Sequence, residues 1–425
     1  MEYKEILLKD LASKIGDGLH GTPSYDPKGD FYFVNGNNLE EGNIVIKDTT
    51  KTVNRETFEK YKKDLSKRTL LVSINGTIGK IAKFNNENIV LGKSACYINL
   101  NDTADKNYIY FLLKSREFQN YIQQYATGTT IKNVSLKTIR NFKVKLPALK
   151  YQNRVSTILQ NIENKIQLNY KMIANLEELS QTLFKRWFVD FEFPDENGNP
   201  YKSSGGEMID SELGEIPKNW NVLTINDFAD DLIITGKTPS TKNKDNYSEK
   251  GIPFLTIPDM HTDVFSLNTI KYISEVGIEK VKNKIIPENS LCVSCIATPG
   301  LVSITSSETL TNQQINSFTP KKNDLYYLYF YIKNMKKYIE DLGSGGSATL
   351  NLNKTQFSKI KIIRPINDLL KKFHKCVDSN FKIILTKQKE NLKLQELRDT
   401  LLPKLMSGEI EIPDNVEVNN DELSI

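Results

Sequence analysis

Residues 180–193 read SQTLFKRWFVDFEF, and 218 positions later residues 398–411 read RDTLLPKLMSGEIE. Both are the end of a helical stretch running out into an acidic segment. A chain that spells the same ending twice, half its length apart, is read as a duplication. The second half aligns on the first. YKEILLKDLA at 3–12 meets WNVLTINDFA at 220–229, and GTPS at 21–24 meets KTPS at 237–240. SINGTIGK at 73–80 meets SCIATPGL at 294–301, and GKSACYI at 92–98 meets NQQINSF at 312–318. GTTIKNVSLKTI at 128–139 meets GSATLNLNKTQF at 346–357, and Pro147 meets Pro365. The offset stays between 216 and 221, and the matches keep their order.

Within each half the pattern changes once. Residues 1–147 and 218–365 show short alternating or apolar runs broken by Gly, Asn and Pro, with helical stretches near 104–125 and 324–342, which predicts two similar mixed α/β domains. Residues 148–190 and 366–407 lack internal Gly, and lack Pro until Pro403, so each can form one helix of roughly forty residues, about 60 Å long. Val155, Leu159, Ile162, Ile166, Asn169, Ile173, Leu176, Ser180, Leu183 and Trp187 recur at alternating spacings of four and three, as in a coiled-coil seam. The same positions in the second copy are Phe373, Val377, Asn380, Ile384, Lys387, Asn391, Leu394, Arg398, Leu401 and Leu405. The polar members weaken the seam but can fix its register. The expected fold class is α+β: two similar domains separated by two long antiparallel helices forming a coiled coil, a pseudo-twofold tandem repeat. Two amphipathic helices, each packed on its own domain, are the alternative. Residues 191–217 form an acidic linker with loop chemistry and 408–425 an acidic tail.

A chain of 425 residues with 39% hydrophobic and 26% charged side chains is ordinary for globular domains. No apolar run approaches the ~20 residues needed to span a bilayer, and four cysteines cannot build a disulfide framework, so no membrane partner and a cytoplasmic location are expected. Net charge is +5, but segment 191–217 holds seven acids against one base and 407–425 six acids and no base. The remainder carries 56 basic and 39 acidic residues, a +17 body suited to a polyanion.

Motifs for catalysis fail on inspection. Gly92-Lys-Ser and Gly236-Lys-Thr lack the earlier glycine of a phosphate loop, where Glu87 and Asp231 stand instead. The run from Gly343 follows a helical stretch where a dinucleotide motif needs a strand. Asn199-Pro-Tyr lacks the second proline of a flipped-base motif, and neither Pro194-Asp nor Pro258-Asp is followed by a nuclease triplet. Cys292 and Cys295 form a lone pair, too few for zinc, so no metal site is expected, and His20, His261 and His374 are scattered. No catalytic residue is assigned. The pattern is that of a reader.

LFKRWFVDFEFPDENGNPYKSSGG at 183–206, GEIPKNW at 214–220, LLPKLMSGEI at 401–410 and DGLHGTPSY at 17–25 together resemble the specificity (S) subunit of type I restriction-modification enzymes, over essentially the whole chain. The resemblance implies two target-recognition domains held apart on an antiparallel helix pair, each reading one half of a split site in double-stranded DNA. It also implies two methylation (M) subunits docked on the helical regions and two restriction (R) subunits. S-adenosylmethionine, ATP and Mg2+ would belong to those partners, with no cofactor in this chain. One departure is the short MEYKEI before the first domain, with Tyr3 where the second copy has Trp220. A self-contained DNA methyltransferase or nuclease, and a coiled-coil scaffold that binds no DNA, are the competing readings.

Base edges call for paired donors and acceptors, and phosphates for cations. The candidates in the first domain are Lys14, His20, Thr22, Ser24, Tyr25, Asn35, Asn37, Asn38, Asn75, Thr77, Lys80, Lys93, Ser94, Thr129, Thr130, Lys132 and Asn133. In the second they are Lys237, Thr238, Ser240, Lys242, Thr256, Asp259, Thr298, Gln313, Gln314, Ser347, Asn351 and Lys354. For docking of M subunits the candidates are the helix ends, Phe184, Trp187 and Phe188, and Leu401, Leu402, Leu405 and Met406.

Overall fold

TLLVS at 69–73 is apolar or β-branched throughout and forms a fully buried strand, Thr69–Ser73. It is the second-to-last strand of a four-stranded antiparallel sheet that runs Ala12–Asp17, Ala95–Leu100, Thr69–Ser73, Ile81–Lys83. The computed structural model describes residues 3–261, 263–344 and 350–413. Beside this sheet, Phe31–Val34 pairs in parallel with Ile89–Leu91, and Lys4–Leu7 pairs antiparallel with Lys143–Leu146. The expected helical stretch 104–125 is two helices, Lys106–Lys114 and Arg116–Gln124. Asp105 caps the first, accepting from the Tyr108 amide at 2.7 Å; Ser115 ends it and caps the second. Val72, Ile98, Tyr108, Phe111 and Phe118 share one core.

The second head repeats this plan with an extra strand in each of its two larger sheets. Asn221–Thr224 pairs antiparallel with Lys361–Arg364, and Ile252–Leu255 pairs in parallel with Leu310–Thr311. Ile315–Phe318, Leu291–Ser294 and Val302–Thr305 lie at the centre of a five-stranded sheet. LYYLYFYIKN, apolar on nearly every side, makes the buried helix Leu325–Asn334. The repeat holds at the level of single hydrogen bonds. Leu8 N–H donates to Phe142 O as Ile225 N–H does to Ile360 O. The Ser73 hydroxyl accepts from Lys80 N at 2.8 Å, and the Ser294 hydroxyl from Leu301 N at 2.9 Å. The sequence alignment of 73–80 with 294–301 is thus matched atom for atom.

The long helices are Leu149–Phe184, continued by a π-turn Lys185–Val189, and Asn367–Ser407. The chain divides into two compact units: the stretch through Ile166 with that from Leu394 onward, and Gln167–Lys393. Each unit contains part of both helices. Each unit by itself shows them antiparallel. In Gln167–Lys393, Asn169 Nδ2 donates to Asn391 Oδ1 at 2.9 Å, Asn380 Nδ2 donates to Ser180 Oγ at 3.0 Å, and Trp187 meets Phe373 with ring centroids 6.0 Å apart. The first number rises as the second falls by equal steps. In the other unit, Val155 and Leu159 share a core with Leu402 and Leu405, while Glu163 receives Arg398 at 3.1 Å and Lys114 at 2.9 Å.

The helices also pack on the heads, though not each on its own: Tyr151 of the first helix joins the first core, while Phe184 of the same helix joins the second core with Phe381. This corrects the docking expectation. Phe184, Trp187, Phe188, Leu402, Leu405 and Met406 are buried and Leu401 half-buried. Phe184, at the end of the α-helix, and Phe188, in the π-turn, sit against Tyr327 at 5.7 and 4.8 Å. These side chains are core, not free surface.

The acidic linker is also more ordered than its loop chemistry suggests. Phe193 stacks on Trp220 at 5.3 Å and on Tyr201 at 4.5 Å, and Met208–Ser211 pairs with Gly214–Pro217 as a hairpin. The Asp195 carboxylate accepts from the amides of Asn197 and Asn199, both at 2.8 Å, which makes the expected turn. In the first unit the start of the acidic tail returns along the long helix. The Tyr151 hydroxyl donates to Ile410 O at 2.9 Å, and Ile412 is buried. Among the described residues no helix is long and apolar enough to cross a membrane.

Asn169 Oδ1 and Asn391 Nδ2 are buried without a hydrogen-bond partner, so the amide pair is only half satisfied. Asn169→Leu alone strands the Asn391 amide and is expected to lower the stability of the Gln167–Lys393 unit by about 1–3 kcal/mol, whereas the double change to leucine is near neutral or stabilising. Denaturant unfolding of both variants checks this; equal losses in the two would contradict it.

Candidate DNA interface

Five loops at one end of the first head are tied to each other by backbone and side-chain hydrogen bonds. Leu19 N donates to Leu91 O at 2.7 Å, Lys93 N to Leu19 O at 3.0 Å, and Gly92 N to Val34 O at 2.8 Å. Ile74 N donates to Ser94 O at 2.9 Å, Gly76 N to Lys132 O at 2.9 Å, and Asn75 Nδ2 to Asn133 Oδ1 at 3.3 Å. The second head ties the corresponding loops the same way. Lys237 N donates to Thr311 O at 2.9 Å, Cys295 N to Gln314 O at 2.8 Å, and Ala297 N to Leu350 O at 3.0 Å. Each head therefore gathers most of its sequence-predicted reading residues into one patch.

Two glycines that sequence reasoning missed make the closure possible. A Cβ on Gly18 would collide with the carbonyls of Leu91 and Gly92, and one on Gly236 with those of Thr311 and Asn312. The signal was present: both stand at the head of the aligned words DGLHGTPS and TGKTPS, 218 apart.

Several predicted readers are consumed by the turns they build. Asn38 is buried; its Nδ2 donates to Val45 O and Thr50 Oγ1, both at 3.0 Å, and its Oδ1 accepts from the Asn35 backbone N–H at 3.0 Å. Thr256 and Asp259 form the equivalent capping box in the second head: Asp259 accepts from the Thr256 hydroxyl at 2.6 Å and from Ile270 N at 2.9 Å. These three are structural; a 3-10 turn whose N-cap and third residue bond each other needs Asn, Thr or Asp there whatever the head reads. Asn35 Oδ1 accepts from the Ser94 hydroxyl at 2.9 Å, while Gly36 N donates to that hydroxyl at 2.9 Å. Asn312 Nδ2 occupies Gln314 Oε1 at 2.9 Å.

The remaining candidates are more open. Lys14, Thr22, Ser24, Asn37, Thr77, Lys93, Thr129, Thr130 and Asn133 are exposed, as are Lys237, Ser240, Lys242, Gln313, Asn351 and Lys354. Thr238 and Thr298 are half-buried, and Ser347 lies outside the described residues. His20 meets Asp17 at 2.6 Å, Lys132 reaches Gln123 at 2.6 Å, and Tyr25 is 43% exposed with its ring edge-on to Phe33. Lys80 lies 3.8 Å from Glu40, whose carboxyl is held below its ordinary range by the hydrogen bond from Lys47. Burial pushes the thiols of Cys292 and Cys295 up to about 12 and about 11, so both stay protonated in the strand core.

A family profile described as "Type I restriction modification DNA specificity domain" matches residues 2–178 and again 217–395. The chain belongs to this family. The two matches are the two halves of the repeat. The chain is 36% identical over 332 residues to the HindI type I restriction enzyme specificity subunit of Haemophilus influenzae, covering 66% of this chain and 72% of that one. It is 25% identical over 307 residues to the MjaIX type I restriction enzyme specificity subunit of Methanocaldococcus jannaschii, covering 68% and 66%. The crystal structure of a type I restriction-modification S subunit from M. genitalium superposes with a TM-score of 0.56 over 95% of this chain and 96% of that one, at 17% identity, which shows a shared fold.

Gly18→Ala and Gly236→Ala are each expected to remove about 1–3 kcal/mol from their own unit by forcing backbone apart. Hydrogen exchange reads this out: protection is lost at the Leu19 and Lys93 amides in the first variant, at Lys237 in the second, and retained in the untouched head.

Proposed function

We propose that this chain is the DNA-recognition subunit of a type I restriction-modification system, in which each head's loop patch reads one half of a bipartite duplex site. The observation that carries the reading is the recurrence of four corresponding loop-to-loop backbone bonds in two heads whose exposed side chains differ. A shared scaffold with unlike tips is what two half-sites of different sequence require. The +17 body supplies the attraction to phosphate that positions such tips. The spacer between the half-sites follows from the helix pair that runs through both units.

Methyl transfer and cleavage belong in this reading to partner subunits: two methylation subunits, which bind S-adenosylmethionine, and two restriction subunits, which use ATP and Mg2+. The names of the relatives, all specificity subunits, support a non-catalytic role for this chain. With the predicted docking side chains buried, the partner-facing surface is drawn from the exposed faces of the long helices.

Methylome sequencing of cells expressing this chain with its methylation partner tests the reading directly. Exchanging residues 1–147 for the corresponding part of a relative is expected to change one half of the methylated motif and leave the other and the spacer intact. Alteration of both halves would contradict modular reading. The isolated chain is expected to neither methylate nor cut DNA, and its affinity for duplex should fall steeply with salt.

A further inference from the structure

One loop position is equivalent in the two heads yet carries different chemistry. The turn Gly92–Ser94 follows strand Ile89–Leu91 in the first head, and the turn 312–314 follows Leu310–Thr311 in the second. The backbone bonds around the two turns correspond. Gly92 N donates to Val34 O and Asn312 N to Leu255 O; Ser94 O accepts from Ile74 N and Gln314 O from Cys295 N. Leu91 O accepts from Leu19 N, and Thr311 O from Lys237 N. The middle residue is therefore Lys93 in one head and Gln313 in the other, and both are exposed.

Their neighbours are already engaged. The Ser94 hydroxyl is held between Gly36 N and Asn35 Oδ1, and Asn312 and Gln314 bond each other. That leaves the middle side chain as the free chemistry of each turn. No hydrogen bond or ion pair engages the Lys93 ammonium among the described residues. Gln313 Oε1 accepts from the Thr238 hydroxyl at 2.7 Å, which restrains the position of the amide while leaving its NH2 and the second lone pair of the oxygen available.

We infer that Lys93 and Gln313 are the corresponding base-reading side chains of the two heads, Lys93 taking a guanine and Gln313 an adenine through the major groove. The assignment rests on the reading that the loop patches bind DNA. An ammonium offers donors alone, which suits the O6 and N7 acceptors of guanine. A carboxamide offers one donor and one acceptor side by side, which matches N7 and the N6 amino group of adenine. The tether from Thr238 holds Gln313 ready for that paired contact, and the longer, unrestrained lysine needs no such orientation to meet two acceptors.

The experiment uses the full chain with its methylation partner, comparing wild type with Lys93→Gln, Gln313→Lys, Lys93→Ala and Gln313→Ala by methylome sequencing and by competition among duplexes that differ at single base pairs. In Lys93→Gln, one position of one half-site is expected to lose its preference for guanine, or exchange it for adenine, by about 5- to 150-fold. The other half-site should be unchanged. Gln313→Lys should do the converse in the opposite half, and each alanine variant should relax the same position as its partner variant. Unchanged preferences at every position would overturn the assignment, and so would uniform weakening across all sequences with a shallower salt dependence, the mark of a phosphate contact. A wild-type complex that methylates no bipartite motif would instead sink the underlying reading.

Discussion

The fold depends on two long helices meeting in opposite directions, and polar contacts fix that direction. Apolar seams tolerate sliding by a turn; Asn169 with Asn391, Ser180 with Asn380, and Glu163 with Arg398 favour the observed alignment, because sliding breaks each of these bonds. Within this pairing each head gains a wall built from the helices. Tyr151 and Val155 complete one core, Phe373 and Phe381 the other. Neither head is a free-standing domain in the simple sense. Its hydrophobic centre includes side chains that the sequence places in the helical regions.

Much of this was legible because the determinants are local. The three-four spacing of Val155 to Trp187 is a property of residues along one helix, and the structure buries or half-buries every member of that seam. The tandem words were recognisable because glycines, prolines and turn hydroxyls are held by backbone geometry. Ser73 and Ser294 perform the same bond and so survive in both copies. Offsets drift between 216 and 221 because loops of different length separate conserved turns.

What was not legible is where a polar side chain spends its hydrogen bonds. Asn38 and Asn37 are adjacent and identical in type, yet one is buried as a cap and the other exposed, a distinction that exists only once the 3-10 turn Gly36–Asn38 has formed. The ends of the helices were misjudged for a related reason. Trp187 and Phe188 lie in the π-turn Lys185–Val189 and both pack on Phe373, and Phe188 also on Tyr327, partners so far along the chain that no local spacing reveals them. The ordered acidic segment was missed because its anchoring, Phe193 on Trp220, spans nearly thirty residues.

The loops of the first head are packed around a missing side chain. Gly92 leaves room for the Asn35 side chain, which a Cβ at that position would strike, whereas the second head carries Asn312 and Thr256 at the corresponding positions. A chimaera that transplants the 312–314 turn alone into the first head would bring the Asn312 side chain against Asn35. New target preferences are therefore inherited most cleanly as matched loop pairs or whole heads, a constraint on recombination written into the packing.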